Sequence, residues 1–220
     1  YTFHNTSIMD FLATPVATFI LACTVITSVM GFSDKTLLNK FLLIPYRVKR
    51  MGEYDRMVMS GLIHADEMHL LMNMLTFYFF AFPLEQIMQG GTIYGSWRFL
   101  LFYVLALIIS DIPTTLKHKD NPAYASLGAS GAVSAVLTAV VTFKPDLELS
   151  LYFMLPIKGW LYMILYIGYS YYASRNRYDN INHDAHLWGA VSGVVLGLLL
   201  SENIRNGLMF WVSSLLGGEM

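Results

Sequence analysis

The sequence predicts an all-α membrane protein, a bundle of six transmembrane helices, and three observations carry the prediction. Hydrophobic residues make up 55% of the 220 and charged residues only 13%, about half the roughly 25% charge of a soluble domain. Six apolar runs approach the roughly 17–25 residues that a helix needs to cross a bilayer. Barrel strands need only about ten alternating residues, so runs of this length fit helices.

Taken in order, the first run covers residues 15–32 and holds Cys23. As the chain's one cysteine, it leaves no disulfide framework and no cysteine metal cluster. Residues 33–67 form the longest connection; its stretch "LLNKFLLIPYRVKR" mixes an apolar body with basic residues and reads as an interfacial segment. The second run, 68–82, contains His69 and Asn73, four residues apart and so on one helix face. A third run covers 97–112 and is followed by the polar linker "DIPTTLKHKDNPAYAS". The fourth, 128–143, opens on "GASGA" and presents Gly128, Gly131, Ala132, Ala135 and Ala139. The fifth, 155–173, is rich in tyrosines; these, like the aromatics of "FYFFAF", are expected to face lipid or the interface without chemistry. The polar stretch "SRNRYDNIN" leads into the sixth, 185–200, where Ala185, Gly189, Gly193 and Gly197 recur every four residues, and is expected to be a mobile cap. The tail "NGLMFWVSSLLGGEM" reads as interfacial. The second, third, fourth and sixth runs fall short of roughly 20 residues. Some are therefore expected to begin below the membrane surface and leave a water-accessible cavity.

These features bound the function. A net charge of −1 and the lack of a basic stripe with interleaved aromatics argue against nucleic acid. The start of the chain lacks a charged n-region, an h-region and a cleavage site, so insertion is expected to be driven by the spans. Without evident repeats the chain reads as one membrane domain over 1–220, and an inverted-repeat transporter is not suggested. Lysine and arginine placement gives ten residues in the connections after spans one, three and five, against Arg98, Lys144, Lys158 and Arg205 on the other side. Taken alone, that asymmetry puts the long first loop in the cytoplasm.

Polar side chains inside spans are costly and mark cavities or functional sites. Ser130, His186, His69 and Asn73 all stand near helix starts. Serine needs an adjacent base to attack, and histidine is suited to take and return a proton near neutral pH. Asn73, His69 and the Ser130 backbone N–H are the kinds of donor that stabilise an oxyanion. The small-residue faces of spans four and six would let those helices approach closely and bring Ser130 to His186. Other readings stay open. "GASG" can be packing alone, and it lacks the preceding strand of a G-x-S-x-G elbow. His64, His69, His183 and His186 could hold zinc, although "HADEMH" is not H-E-x-x-H and His183 reads as a solvated loop residue. Asp184, two residues before His186, reads as a solvated or capping acid rather than a triad member.

In combination and order, "HADEMHLLMNM", "GASGA" and "AHLWGAVSG" closely resemble the rhomboid intramembrane serine proteases over nearly the whole chain. The resemblance implies a six-helix rhomboid bundle, a Ser–His dyad without aspartate, no cofactor or metal, and cleavage of transmembrane segments in single-span membrane proteins. It implies Ser130 as nucleophile, His186 as general base, and His69 with Asn73 in the oxyanion hole. His64 falls where the family often has a histidine at the mouth of the site, and Glu85 matches a glutamate after span two. The expected location is the cytoplasmic membrane of a prokaryote, with the site facing the extracytoplasmic side and the first loop outside. Two features depart from the family: the chain's Trp97-Arg98 stands at the start of span three, with no such pair in the first loop, and Ser134 stands where many members place a bulky aromatic. A client-binding relative without activity, or a small transporter, are the competing classes.

Overall fold

The computed structural model describes residues 8–151, 155–176 and 179–217. After a short helix α1 (Ile8–Ala13), helix α2 (Pro15–Ser33) begins on a proline suited to the first helical position. It buries Ala17, Ile20, Thr24, Ser28 and Gly31 while Phe19, Ile26, Val29 and Met30 face outward. The first loop folds into three short helices, α3 (Lys35–Phe41), α4 (Pro45–Met51) and α5 (Arg56–Met59). They carry a small core of Leu43, Val48 and Met57. Arg56 organises the loop: its guanidinium donates to the carbonyls of Asn39 (3.2 Å), Lys40 (2.9 Å) and Leu42 (2.7 Å) and to the Glu53 carboxylate. Arg56, with Arg47, holds the Glu53 carboxyl below its ordinary pKa.

Helix α6 (Glu67–Gln89) and helix α7 (Ser96–His118) are both 23 residues long, so the runs ending at 82 and 112 are not short spans. Pro83 and Pro113 lie inside these helices rather than ending them, which packing against neighbouring helices permits. Glu85 therefore sits within α6, not after it. It is fully buried and accepts from the N–H groups of Val16 (3.2 Å) and Ala17 (2.6 Å) at the start of α2. The "FYFFAF" segment is also revised: Phe77 and Phe82 are core residues, and Phe79 is the large ring that stays exposed.

Helix α8 (Ser130–Phe143) is the hub, buried at every residue from Gly131 to Thr142 and packed against α6 and α7. Its 14 residues span about 21 Å at 1.5 Å per residue, against a hydrocarbon core of about 30 Å. The chain then departs from all-α: strands β1 (Glu148–Leu151) and β2 (Leu155–Lys158) pair antiparallel, with Glu148 opposite Lys158. Pro156 disfavours helix at the residue before it, so helix α9 (Gly159–Arg175) starts four residues later than the apolar run. Helix α10 (His183–Leu200) and helix α11 (Glu202–Leu215) complete the chain, both touching α8. Among the described residues four helices, α2, α6, α7 and α10, are long and apolar enough to cross a membrane, with α8 a shorter apolar helix.

The contact between α8 and α10 is made by missing side chains. A Cβ on Gly189 would strike the Gly131 carbonyl, and one on Gly193 would strike the Ala135 carbonyl and the Thr138 hydroxyl. Thr138 Oγ1 uses the closeness to donate across to the Ala190 carbonyl at 2.9 Å.

Candidate active site

The amino-terminal turn of α6 is set by Asp66, whose carboxylate accepts from the His69 N–H at 2.8 Å. Asn73 follows one turn on, buried, with Nδ2 donating to the His69 carbonyl at 3.0 Å. One amide hydrogen of Asn73 is left to aim elsewhere. The segment entering α8 is pinned by a Leu43–Ser126 bridge and by the Gly128 N–H on the Ser60 carbonyl at 2.9 Å. Gly128 has φ +112°, and a Cβ there would lie 2.8 Å from Cε1 of the His69 ring. Glycine thereby lets the imidazole rest against the backbone that delivers Ser130. As the first residue of α8, Ser130 has an N–H with no intrahelical acceptor.

His64 is fully buried and braces this region. Its Nε2 accepts from the Ala129 N–H (3.4 Å), and its Nδ1 bonds Ser28 Oγ of α2 (3.0 Å). An accepting Nε2 puts the proton on Nδ1, so Ser28 accepts from His64 and donates to the Leu62 carbonyl at 3.3 Å.

On α10, Asn182 caps the helix through the Ala185 N–H (3.2 Å) and accepts from Thr114 of α7 (2.8 Å). His183 is not a solvated loop residue. It is buried, starts α10, and bonds Asp179 at 3.1 Å, while the Ile181 N–H and then His183 hold the Asp179 carboxyl below its ordinary pKa. Asp184 is likewise not merely solvated: Lys117 of α7 pairs with it at 2.8 Å. Of the expected mobile cap, Ser174 and Arg175 belong to α9, and residues 177 and 178 lie outside the described residues.

Ser130, His186 and Asn73 come together on the wall of one cavity of about 200 Å³, shared with Met72, Thr76, Val133, Ser134, Leu137, Tyr162 and Tyr166. His69 is not on that wall: its carbonyl accepts from Asn73, and its ring rests against Gly128, two residues before Ser130. Gly131 and Gly189 lie in the seam beside it, where a Cβ on Gly131 would strike the Ser110 hydroxyl. His64 contacts His69 edge to face (4.9 Å between ring centroids) and His183 contacts His186 in the same way (5.8 Å). Among the described residues no three His, Cys, Asp or Glu side chains gather as a metal-holding set.

Two cavity tyrosines, Tyr162 and Tyr166, escaped the sequence reading, which set the α9 tyrosines facing lipid or the interface. Tyr166 stacks near His186 with ring centroids 6.4 Å apart, and its hydroxyl meets Ser134 Oγ at 2.6 Å. The signal available was the inward stripe of Tyr162, Tyr166 and buried Ser170 at four-residue spacing.

Comparison with known proteins agrees with the sequence motifs. The Rhomboid domain model matches residues 51–203. RHOMBOID-like protein 12, mitochondrial, of Arabidopsis thaliana is 25% identical over 74% of this chain, which spans 51% of that protein, about half its length. The Bacillus subtilis rhomboid protein YdcA is 31% identical over 67% of this chain and 68% of its own. Rhomboid protease GlpG of Haemophilus influenzae is 27% identical over 81% of this chain and 85% of its own. With well over half its length matched and four helices fit to cross a membrane, the chain belongs to the rhomboid family of integral membrane proteins.

Proposed function

We propose that the protein is an intramembrane serine endopeptidase that cleaves single-span membrane proteins within or beside their transmembrane segments. The observation that carries this reading is the shared cavity holding Ser130 and His186, beside a glycine seam that leaves little freedom between their helices. Family membership and a Haemophilus relative named a rhomboid protease support it. In this reading Ser130 Oγ attacks the scissile carbonyl as His186 takes its proton, and an acyl-enzyme forms. His186 protonates the leaving amine and then activates water for deacylation. The oxyanion is met by Asn73 Nδ2, the Ser130 N–H and the His69 ring. No residue role requires a cofactor or metal.

The bundle is read as six spans across 1–220, α8 and α9 joining the four longer helices. Substrate backbone must leave its helical hydrogen bonds to expose a carbonyl, so small or helix-weakening residues are expected at the cleavage point. The site is assigned to the extracytoplasmic face of a prokaryotic cell membrane, against the basic-residue count. Arg47, Lys49, Arg50, Arg56 and Lys117, half of that count, are ion-paired to acids on their own side. Basic loops also bind anionic headgroups on either face.

A fluorophosphonate probe tests the reading. Wild type is expected to label, Ser130→Ala and His186→Ala to lose labelling, and Asn73→Ala to slow it about 10²- to 10³-fold. A membrane-impermeant form of the probe is expected to label right-side-out vesicles. Labelling that survives Ser130→Ala sinks the nucleophile, and labelling confined to inverted vesicles reverses the orientation.

A further inference from the structure

We infer that Tyr166 is a positioning residue for His186, held in place by a hydroxyl relay through Ser134; the inference rests on the Ser130–His186 reading above. The direction of the relay follows from its atoms. Ser134 Oγ lies 2.7 Å from the Ser130 carbonyl and 2.6 Å from the Tyr166 hydroxyl. A carbonyl only accepts, so the serine proton points at Ser130, and the tyrosine proton must point at Ser134. Tyr166 O–H therefore donates to Ser134, which donates to the main chain of the nucleophile's own residue. The tyrosine's proton is committed to this chain, and what it presents toward His186 is its ring.

That ring lies 6.4 Å from the His186 imidazole with planes tilted by 26°, while His183 abuts the imidazole edge-on at 83°. Among the described residues no side chain hydrogen-bonds the His186 imidazole, and Asp184 is turned to Lys117. Ring packing is then what restricts rotation of the base. Elsewhere α9 sends Leu161, Ile164, Leu165 and Tyr169 outward, so Tyr166 is one of few side chains through which this helix engages the cavity. The relay fixes α9 and the first turn of α8 in one register, with His186 beside them.

Misplacing a catalytic group by about 1 Å costs on the order of 10²-fold in rate, and a lost neutral hydrogen bond about two- to tenfold. Tyr166→Ala is expected to slow fluorophosphonate labelling of Ser130 by about 10- to 100-fold. It is expected to lower kcat on a transmembrane substrate in proportion, with KM within about twofold. Tyr166→Phe keeps the ring and is expected to recover most of the rate, falling about two- to tenfold short of wild type. Ser134→Ala should match Tyr166→Phe, and the double variant should be no worse than either alone, because both cut one relay. Wild-type labelling by Tyr166→Ala, or a raised KM with kcat unchanged, overturns the inference. If Tyr166→Ala does not fold, the Phe and Ser134 variants decide: additive losses overturn it, non-additive losses support it. Failure of wild type to label, or labelling of Ser130→Ala, strikes the protease reading instead.

Discussion

At Gly128 two separate requirements fall on one residue. The φ of +112° is a conformation that side chains rarely adopt, and the missing Cβ is the space the His69 ring occupies. Gly91 separates these effects, because its φ is +84° with nothing within 4 Å of a built Cβ. Both Gly91→Ala and Gly128→Ala are expected to lose about 1–3 kcal/mol of stability to backbone strain. Only Gly128→Ala must also push the His69 ring away from the path to Ser130. Its kcat is expected to fall about 10²-fold or more if the ring serves the oxyanion, with Gly91→Ala unchanged in activity. Thermal unfolding and substrate cleavage measured on both variants check this, and equal activity in the two would remove His69 from the site. Ser130, His186 and Asn73, which share one cavity wall, stood out in the sequence, as did His69, for a physical reason: a polar side chain in an apolar run needs an explanation. Tyr166 did not, because an aromatic in such a run satisfies lipid and core alike, and its facing is decided by Ser134 on another helix.

Among the elements, the long helices were legible by hydropathy but their ends were not. The apolar runs were read as ending at 82 and 112, yet α6 and α7 continue through Pro83 and Pro113. Pro156 did act as a stop and left a hairpin where a span was expected. Glu85 illustrates what continuation through Pro83 achieves. The extra turn carries its carboxylate to the start of α2, where Pro15 has no N–H and the next two residues hold orphan donors that Glu85 accepts. The negative charge also suits the positive end of the α2 dipole. Glu85→Ala is expected to cost about 1.5–3 kcal/mol for each charge-assisted bond lost, read as a lower unfolding temperature in detergent. Glu85→Gln keeps one acceptor oxygen and should lose less. A Glu85→Ala protein as stable as wild type would mean those N–H groups find another acceptor.

Across the whole molecule, the cavity depends on a contact two turns away from it. Gly193 lies seven residues beyond His186 on α10, and its missing Cβ admits the Ala135 carbonyl and the Thr138 hydroxyl of α8. A threonine hydroxyl can rotate aside, at the loss of its bond to Ala190. A backbone carbonyl in a helix buried all round cannot, so Gly193→Ala must move one helix away from the other. Replacing a helical glycine by alanine gains about 0.5–1 kcal/mol of backbone entropy, and overpacking costs about 1–3 kcal/mol, so the clash wins. Gly168 of α9 supplies the contrast, since a Cβ there meets nothing within 4 Å and Gly168→Ala should gain stability. The functional effect of Gly193→Ala is expected to exceed its effect on stability. Separating α8 from α10 lengthens the reach between Ser130 and His186, and a shift of about 1 Å costs on the order of 10²-fold. Probe labelling is therefore expected to slow by about that factor in a Gly193→Ala protein that still unfolds cooperatively, while Gly168→Ala labels as wild type. Unchanged labelling in Gly193→Ala would show that the seam holds the fold together without setting the distance between the two residues.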